Sequence, residues 1–185
     1  MFAVALTDSA ELRPLEPWQA GEFLAHLDKA RDNISAYIPW ADVVTDEERA
    51  RNFLSRYAKR QAADEGRIYG IWLEGDLVGG LLFRVFEADW GSCELGVWLS
   101  AEAEGRGLIT RAGRLLVDWA ISVRGLNRVE WRCTVGNTRS AAVAQRLGMT
   151  LEGTLRQAFP YRGTIHDVQV WAITRDDWLQ RSWRN

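Results

Sequence analysis

Hydrophobic and polar residues follow two rhythms along this chain, a period near two that marks strands and a period near 3.6 that marks helices. Residues 4–6 and 12–15 read as an opening strand pair, and Pro17 starts a helix on which Phe23, Leu24 and Leu27 recur at helical spacing. Tyr37-Ile38-Pro39-Trp40 closes that section as a turn. Thr45 followed by Glu48 has the spacing of a capping box, and Phe53, Leu54, Tyr57 and Ala58 line one face of the next helix, which ends near Gly66. Residues 67–73 and 77–86 are β-branched and aromatic runs separated by Glu74-Gly75-Asp76, a hairpin signal, and a third run, residues 93–99, follows Asp89-Trp90-Gly91. The three form an antiparallel meander.

The rhythm then changes. From residue 108 to 123 the positions Leu108, Ala112, Leu115, Leu116, Trp119 and Val123 make an apolar helical stripe, followed by a strand over 128–134. Strand, helix and strand together make a parallel crossover. Asn137 caps a further helix that runs to Leu147 and stops at Gly148, and two last strands, 150–158 and 165–174, flank Tyr161-Arg162-Gly163. With no repeat, low-complexity segment or linker, residues 1–185 read as a single domain.

Composition narrows the function. The 23 basic and 25 acidic side chains give a net charge of −2, which disfavours direct nucleic-acid binding. No window is apolar enough to span a bilayer and the first ten residues lack a signal pattern, so no membrane partner and a cytoplasmic location are expected. Cys93 and Cys133 lie in apolar stretches without a metal or redox spacing and read as packing residues; no metal site is expected.

The informative segment is the strand ending Gly96-Val97-Trp98-Leu99, then Glu102-Ala103-Glu104-Gly105-Arg106-Gly107, then a helix start at Leu108. Such a bend presents unpaired backbone N–H groups, with the positive end of a helix dipole behind them, to an anion. A tight turn that needs glycine for its own dihedrals reads the same letters equally well. A P-loop is excluded, since Leu108 follows Gly107 where a lysine is required. A dinucleotide fingerprint fails at Thr110, where glycine or alanine is needed.

A second block follows: Asn137-Thr138-Arg139-Ser140, then Arg146-Leu147-Gly148-Met149, Glu152-Gly153, and a tail of Tyr161-Arg162-Gly163 with His166-Asp167. Gly105 and Gly107 together with this block resemble the GNAT superfamily of acetyl-CoA-dependent N-acyltransferases, and within it the subgroup of ribosomal-protein-serine and -alanine N-terminal acetyltransferases. Glu102 departs from the glutamine or arginine that opens that family's loop. The resemblance implies an α/β (α+β) fold with a mixed, mostly antiparallel central sheet of about seven strands and helices on both faces. It also implies acetyl-CoA as cofactor, a peptide N-terminal or small-molecule amine as acceptor, and a homodimer.

On the same ground the pantetheine arm lies between diverging strands against Val97, Trp98 and Leu99. The pyrophosphate meets Glu104, Gly105, Arg106, Gly107, Leu108, Ile109 and Thr110, and Asn137 holds the pantetheine amide unless it serves only as a helix cap. Arg106, Arg139 and Arg146 are candidates for the outer phosphates or simply solvated charges. Direct transfer needs a base, an oxyanion donor and an acid. Glu94, among apolar neighbours that could raise its pKa, is the candidate base or substrate-orienting carboxylate; the Val97 N–H is the oxyanion donor. Many relatives place a tyrosine acid where this chain has Ala144; the resemblance to the subgroup gives that role to Ser140, unless Ser140 serves only in the first turn of its helix. His166 and Asp167 are strand neighbours that point to opposite faces and form no dyad. Of ten tryptophans most read as core, while Trp40 and Trp90 are candidates for substrate contact. A catalytically silent acyl-CoA-binding sensor is the competing reading, favoured by Glu102 and Ala144.

Overall fold

The computed structural model describes residues 3–181. Along the chain come β1 (Val4–Ala5), β2 (Ala10–Pro14), α1 (Ala20–Ser35), α2 (Trp40–Val43), α3 (Glu47–Ala62), β3 (Ile68–Leu73), β4 (Asp76–Glu87), β5 (Ser92–Leu99), α4 (Leu108–Asp118), β6 (Arg128–Thr134), α5 (Thr138–Leu147), β7 (Thr150–Tyr161), β8 (Thr164–Thr174) and α6 (Arg175–Leu179). The eight strands hydrogen-bond in the order β1-β2-β3-β4-β5-β6-β8-β7, one more than expected. β5 and β6 run parallel, as the crossover required, while β1/β2, β2/β3, β3/β4, β6/β8 and β7/β8 are antiparallel. The fold is thus α/β with a mixed, mostly antiparallel sheet. No helix among the described residues is long and apolar enough to cross a membrane.

Two compact units share these elements: residues 3–83 with 97–112, and residues 84–96 with 113–181. In the first, α1 buries Ala20, Phe23, Leu27, Ala30 and Ile34, a spacing of three and four that makes one face, and α3 buries Ala50, Phe53, Leu54 and Tyr57. The cap of α3 is Asp46, whose side chain accepts from the Arg49 N–H at 2.8 Å, one residue beyond the expected Thr45. A carboxylate outcompetes a hydroxyl at the positive end of a helix. The expected turn at 37–40 runs directly into α2, a single turn of helix with Ala41 buried. Between β3 and β4, Glu74 (φ 55°) and Gly75 (φ 94°) form a two-residue loop that closes on the Leu73↔Asp76 pair.

In the second unit the helix begun by α4 continues as a π-helical turn over Trp119–Val123. The wider turn rotates the end of the apolar stripe, so Ile121 is buried while Val123 is 68% exposed. Asp118 Oδ1 accepts from the Trp178 indole N–H at 3.0 Å, tying α6 to this helix. Gly113 lets Leu147 approach closely: a Cβ there would meet Leu147 Cδ1 at 3.1 Å. α5 closes on Gly148 in the left-handed region (φ 75°), as its sequence required. β7 extends past the expected end at residue 158 to Tyr161, turning at Arg162 and Gly163, and bulges at Gln157, whose N–H donates to the Asp167 carboxylate.

In the first unit His26 of α1 is 5% exposed, and its Nε2 has no hydrogen-bond partner among the described residues. Burial lowers its pKa from 6.5 to about 4, with Lys29 adding to the effect and a backbone hydrogen bond at Leu77 opposing it. The unfolded chain therefore takes up a proton that the folded chain refuses, so this contribution, on the order of 3 kcal/mol, is present above pH 6.5 and lost as pH falls towards 4. The melting temperature should fall across that window, and His26→Gln should flatten the decline. Parallel melting curves for the two proteins would contradict the assignment.

Candidate active site

The first unit contains a strand edge and a bend. Ser100 N–H donates to the Val78 carbonyl at 2.8 Å, and a Cβ on Gly79 would lie 2.5 Å from the Trp98 carbonyl oxygen, so Trp98 and Ser100 turn their main-chain groups towards β4. Main-chain groups alternate along a strand, so those of Val97 and Leu99 face the opposite edge. The parallel ladder of β5 with β6 runs from Ser92↔Arg128 to Leu95↔Trp131 and ends before either residue. The Leu99 carbonyl accepts from Asn33 Nδ2 at 3.1 Å. Trp98 does not share this edge. Its side chain is 3% exposed and packs edge-on against Phe23 and Trp40, so its place is in the core, and the expectation that it joins Val97 and Leu99 at the cofactor is corrected by the alternation.

After β5 a short 3-10 turn over Ala101–Ala103 carries Glu102 to the surface, and the chain bends through Glu104, Gly105, Arg106 and Gly107 into α4. Gly105 (φ 75°) and Gly107 (φ 73°) are both left-handed, which disfavours any side chain there, and among the described residues nothing lies within 4 Å of where a Cβ would stand. Glycine is thus required for the dihedrals, and the space beside it is open to a ligand. Arg111 N–H donates to the Gly107 carbonyl, the first bond of the α-helical ladder. The N–H groups of Leu108, Ile109 and Thr110 precede it and have no acceptor within the helix. Arg106 is exposed, while Leu108, Ile109 and Thr110 are buried residues whose amides open the helix.

Trp40 opens α2 half-buried, its ring 4.9 Å from Phe53 and 5.6 Å from Trp98. It belongs to an aromatic cluster of the first unit.

The second unit, described by itself, contains a cluster of titratable groups. Glu94 is 6% exposed, and its surroundings differ from the apolar ones expected. Arg84 bonds it bidentately, Nε to Oε1 at 2.7 Å and Nη2 to Oε2 at 3.2 Å, and Arg132 Nε stands 3.7 Å from Oε2. The ion pairs continue from Arg132 to Glu130, from Glu130 to Arg128 and from Arg128 to Glu152, an alternating chain of charge over β4, β5, β6 and β7. Burial pushes the Glu130 carboxyl up, but the hydrogen bonds from Arg128 and Arg132 outweigh it and hold the group below its ordinary value. A cavity of about 120 Å³ opens beside them, lined by Glu87, Glu94, Glu130 and Arg132 among others. Arg84 and Glu94 lie symmetrically about Asp89 in sequence, a cross-strand signal that charge placement around the turn could have revealed.

Asn137 caps α5, its Oδ1 accepting from the Ser140 N–H at 3.1 Å, which leaves its Nδ2 for other partners. Ser140 Oγ accepts from the Trp131 indole N–H at 2.9 Å. An indole only donates, so the hydroxyl keeps its own proton to give. The Cys133 thiol is held up by burial, with hydrogen bonding to Ser140 and Trp171 opposing, and burial with nearby Glu130 pushes the Cys93 thiol up further. Both cysteines are buried packing residues. Asp167 serves the β7 bulge, and the His166 ring lies 6.2 Å from that of Phe159. Trp90 is 83% exposed in the turn before β5. Among the described residues no group of three histidine, cysteine or carboxylate side chains is placed to hold a metal ion.

The family described as acetyltransferase (GNAT) domain matches residues 10–150. YjcK of Bacillus subtilis, a probable N-acetyltransferase, is 31% identical over 90% of this chain and 94% of its own length. The ribosomal-protein-serine acetyltransferase of Escherichia coli is 25% identical over 91% of this chain and 94% of its own. Among solved structures RimL, a ribosomal L7/L12 alpha-N-protein acetyltransferase in complex with coenzyme A, superposes with a TM-score of 0.88 at 24% identity, covering 95% of this chain and 99% of that one.

Trp131 is 1% exposed, so loss of its acceptor strands a buried N–H. Ser140→Ala should cost about 1–3 kcal/mol in urea denaturation, and Ser140→Thr should keep most of it. Equal stability of the alanine variant and the parent would show that the indole finds another acceptor.

Proposed function

As a member of the GNAT acetyltransferase family this chain is an acetyl-CoA-dependent N-acetyltransferase, and we propose that it passes the acetyl group directly to a primary amine within a ternary complex. The observation that carries the reading is the bend at Gly105 and Gly107: two left-handed glycines with open space beside them, followed by three helix-opening N–H groups. These fit a diphosphate. In this reading the main chain from Glu104 to Thr110 holds it, and the N–H of Leu99 and the main-chain groups of Val97 hold the arm that follows. Nδ2 of Asn137, left over from capping, binds the arm's amide. The whole chain acts as one catalytic domain.

Bound acetyl-CoA supplies a thioester carbonyl open to attack by a neutral amine. Glu94 takes the proton of the arriving ammonium, the Val97 N–H faces the oxygen that gains charge, and Ser140 gives its hydroxyl proton at the departing sulfur. Trp90, exposed and uncovered by its own unit, is the side chain offered to the acceptor; Trp40 contributes through the aromatic cluster that fixes it. The acceptor is an N-terminal amine of a protein or a small-molecule amine; the Escherichia coli relative is named for a ribosomal protein, which supports the former and a cytoplasmic site of action. Exposed Leu151, Leu155 and Ile165 on β7 and β8 support a homodimer.

Thiol release from acetyl-CoA should be seen with at least one of a serine-initiated peptide, an alanine-initiated peptide and spermidine. Tight CoA binding without turnover on any amine would favour a silent sensor instead. Gly107→Trp should abolish CoA binding in a protein that remains folded by circular dichroism; retained affinity would contradict the assigned bend. Glu94→Gln should lower kcat about 100-fold with little change in CoA affinity, the span expected for loss of a general base. An unaltered kcat would remove Glu94 from that role.

A further inference from the structure

Glu94 and Arg84 are an unequal pair. The carboxylate side chain is 8% exposed and the guanidinium 61% exposed, yet the two make a bidentate contact. A carboxylate so far from water needs a cation beside it, because an uncompensated buried charge is far more costly than a paired one. Arg132 is a poor sole partner. Its Nε stands 3.7 Å from Glu94, while its Nη2 bonds Glu130 at 2.9 Å. The pairing of Glu94 therefore rests on Arg84, whose charge sits largely in water at the end of a flexible stem and returns to it at little cost.

We propose that Arg84 is a positioning residue acting through Glu94: a tethered cation that occupies the carboxylate until the acceptor's ammonium takes its place, and that returns when the neutral product leaves. The inference rests on Glu94 as the proton acceptor. An ammonium that enters the cavity of about 120 Å³ beside Glu94, larger than one water's share of roughly 30 Å³, meets carboxylates at Glu87 and Glu130 as well. As it reaches Glu94 it replaces one positive charge by another, so the buried negative charge is compensated throughout the exchange. The proton then passes from R–NH3+ to the carboxylate, giving R–NH2 and the neutral acid. The amine nitrogen forms its bond to the acetyl carbon as the carbon–sulfur bond breaks; the sulfur takes the Ser140 hydroxyl proton, and the nitrogen's surplus proton restores that hydroxyl. The proton left on Glu94 goes to solvent as Arg84 re-forms its pair. The acceptor class follows: an amine that arrives charged is selected, and an amide or alcohol cannot displace the guanidinium.

Because Arg84 competes with the acceptor, Arg84→Gln should lower the KM of a serine-initiated peptide, and of spermidine as second acceptor, by about fivefold, the span of one partly exposed ion pair. kcat should not rise with it. Arg84→Lys, which keeps the charge, should bring KM back towards that of the parent. Millimolar guanidinium chloride should raise the KM of Arg84→Gln competitively while leaving the parent unaffected. A merely structural arginine would lower the melting temperature and move none of these. An unchanged or higher KM in folded Arg84→Gln, with Glu94→Gln still impaired in kcat, overturns the role of Arg84 and leaves that of Glu94 standing. Full kcat in Glu94→Gln, or no turnover of either amine by the parent, overturns both.

Discussion

Backbone N–H groups at the start of a helix have no acceptor within it, and the helix dipole adds partial positive charge at that end. At α4 those groups belong to Leu108, Ile109 and Thr110, and the chain reaches them through two glycines in left-handed conformation. An ordinary side chain at Gly105 or Gly107 would strain the bend and fill the space beside it. In the proposed reading the binding groups belong to the main chain, so the identity of the side chain at the surface residue Glu102 does not decide them. Leu108 and Ala112 are buried, so the start of α4 is fixed by packing as well as by conformation.

The second unit brings the opposite problem, negative charge that must be kept from water. Its answer is the alternating chain Arg84, Glu94, Arg132, Glu130, Arg128 and Glu152, in which each carboxylate leans on at least one guanidinium. Such a chain fixes side-chain positions more than it adds stability, since desolvation of the inner members offsets much of the attraction. Two of its pairs join the buried Glu94 to a more exposed guanidinium, Arg132 at 38% and Arg84 at 61%. The greater exposure of Arg84 makes its pair with Glu94 the place where an incoming cation can enter without leaving a buried charge unpaired.

Much of this was legible from the letters. The Glu74-Gly75 loop, the Asn137 cap and the Gly148 stop depend on local dihedrals and local hydrogen bonds, and they lie where the sequence puts them. Features that depend on tertiary packing were not. α2 is too short for any periodicity and is held by Trp40, which packs tilted against Phe53 and edge-on against Trp98. The exposure of Val123 follows from a π-helical turn that no residue pattern announces. In the candidate site the glycine bend and Asn137 were visible, because a single segment builds each of them. The surroundings of Glu94 were misjudged, because its immediate neighbours in sequence are apolar while the groups that touch it come from β4 and β6. Trp98 was misplaced by one step of strand alternation.

The most direct test of the diphosphate site is a titration of the 15N-labelled protein with CoA, followed through its backbone amide signals. The N–H resonances of Gly107, Leu108, Ile109 and Thr110 should move first and furthest, with that of Val97 following. Large shifts confined to other segments, with those amides unmoved at saturation, would contradict the assignment.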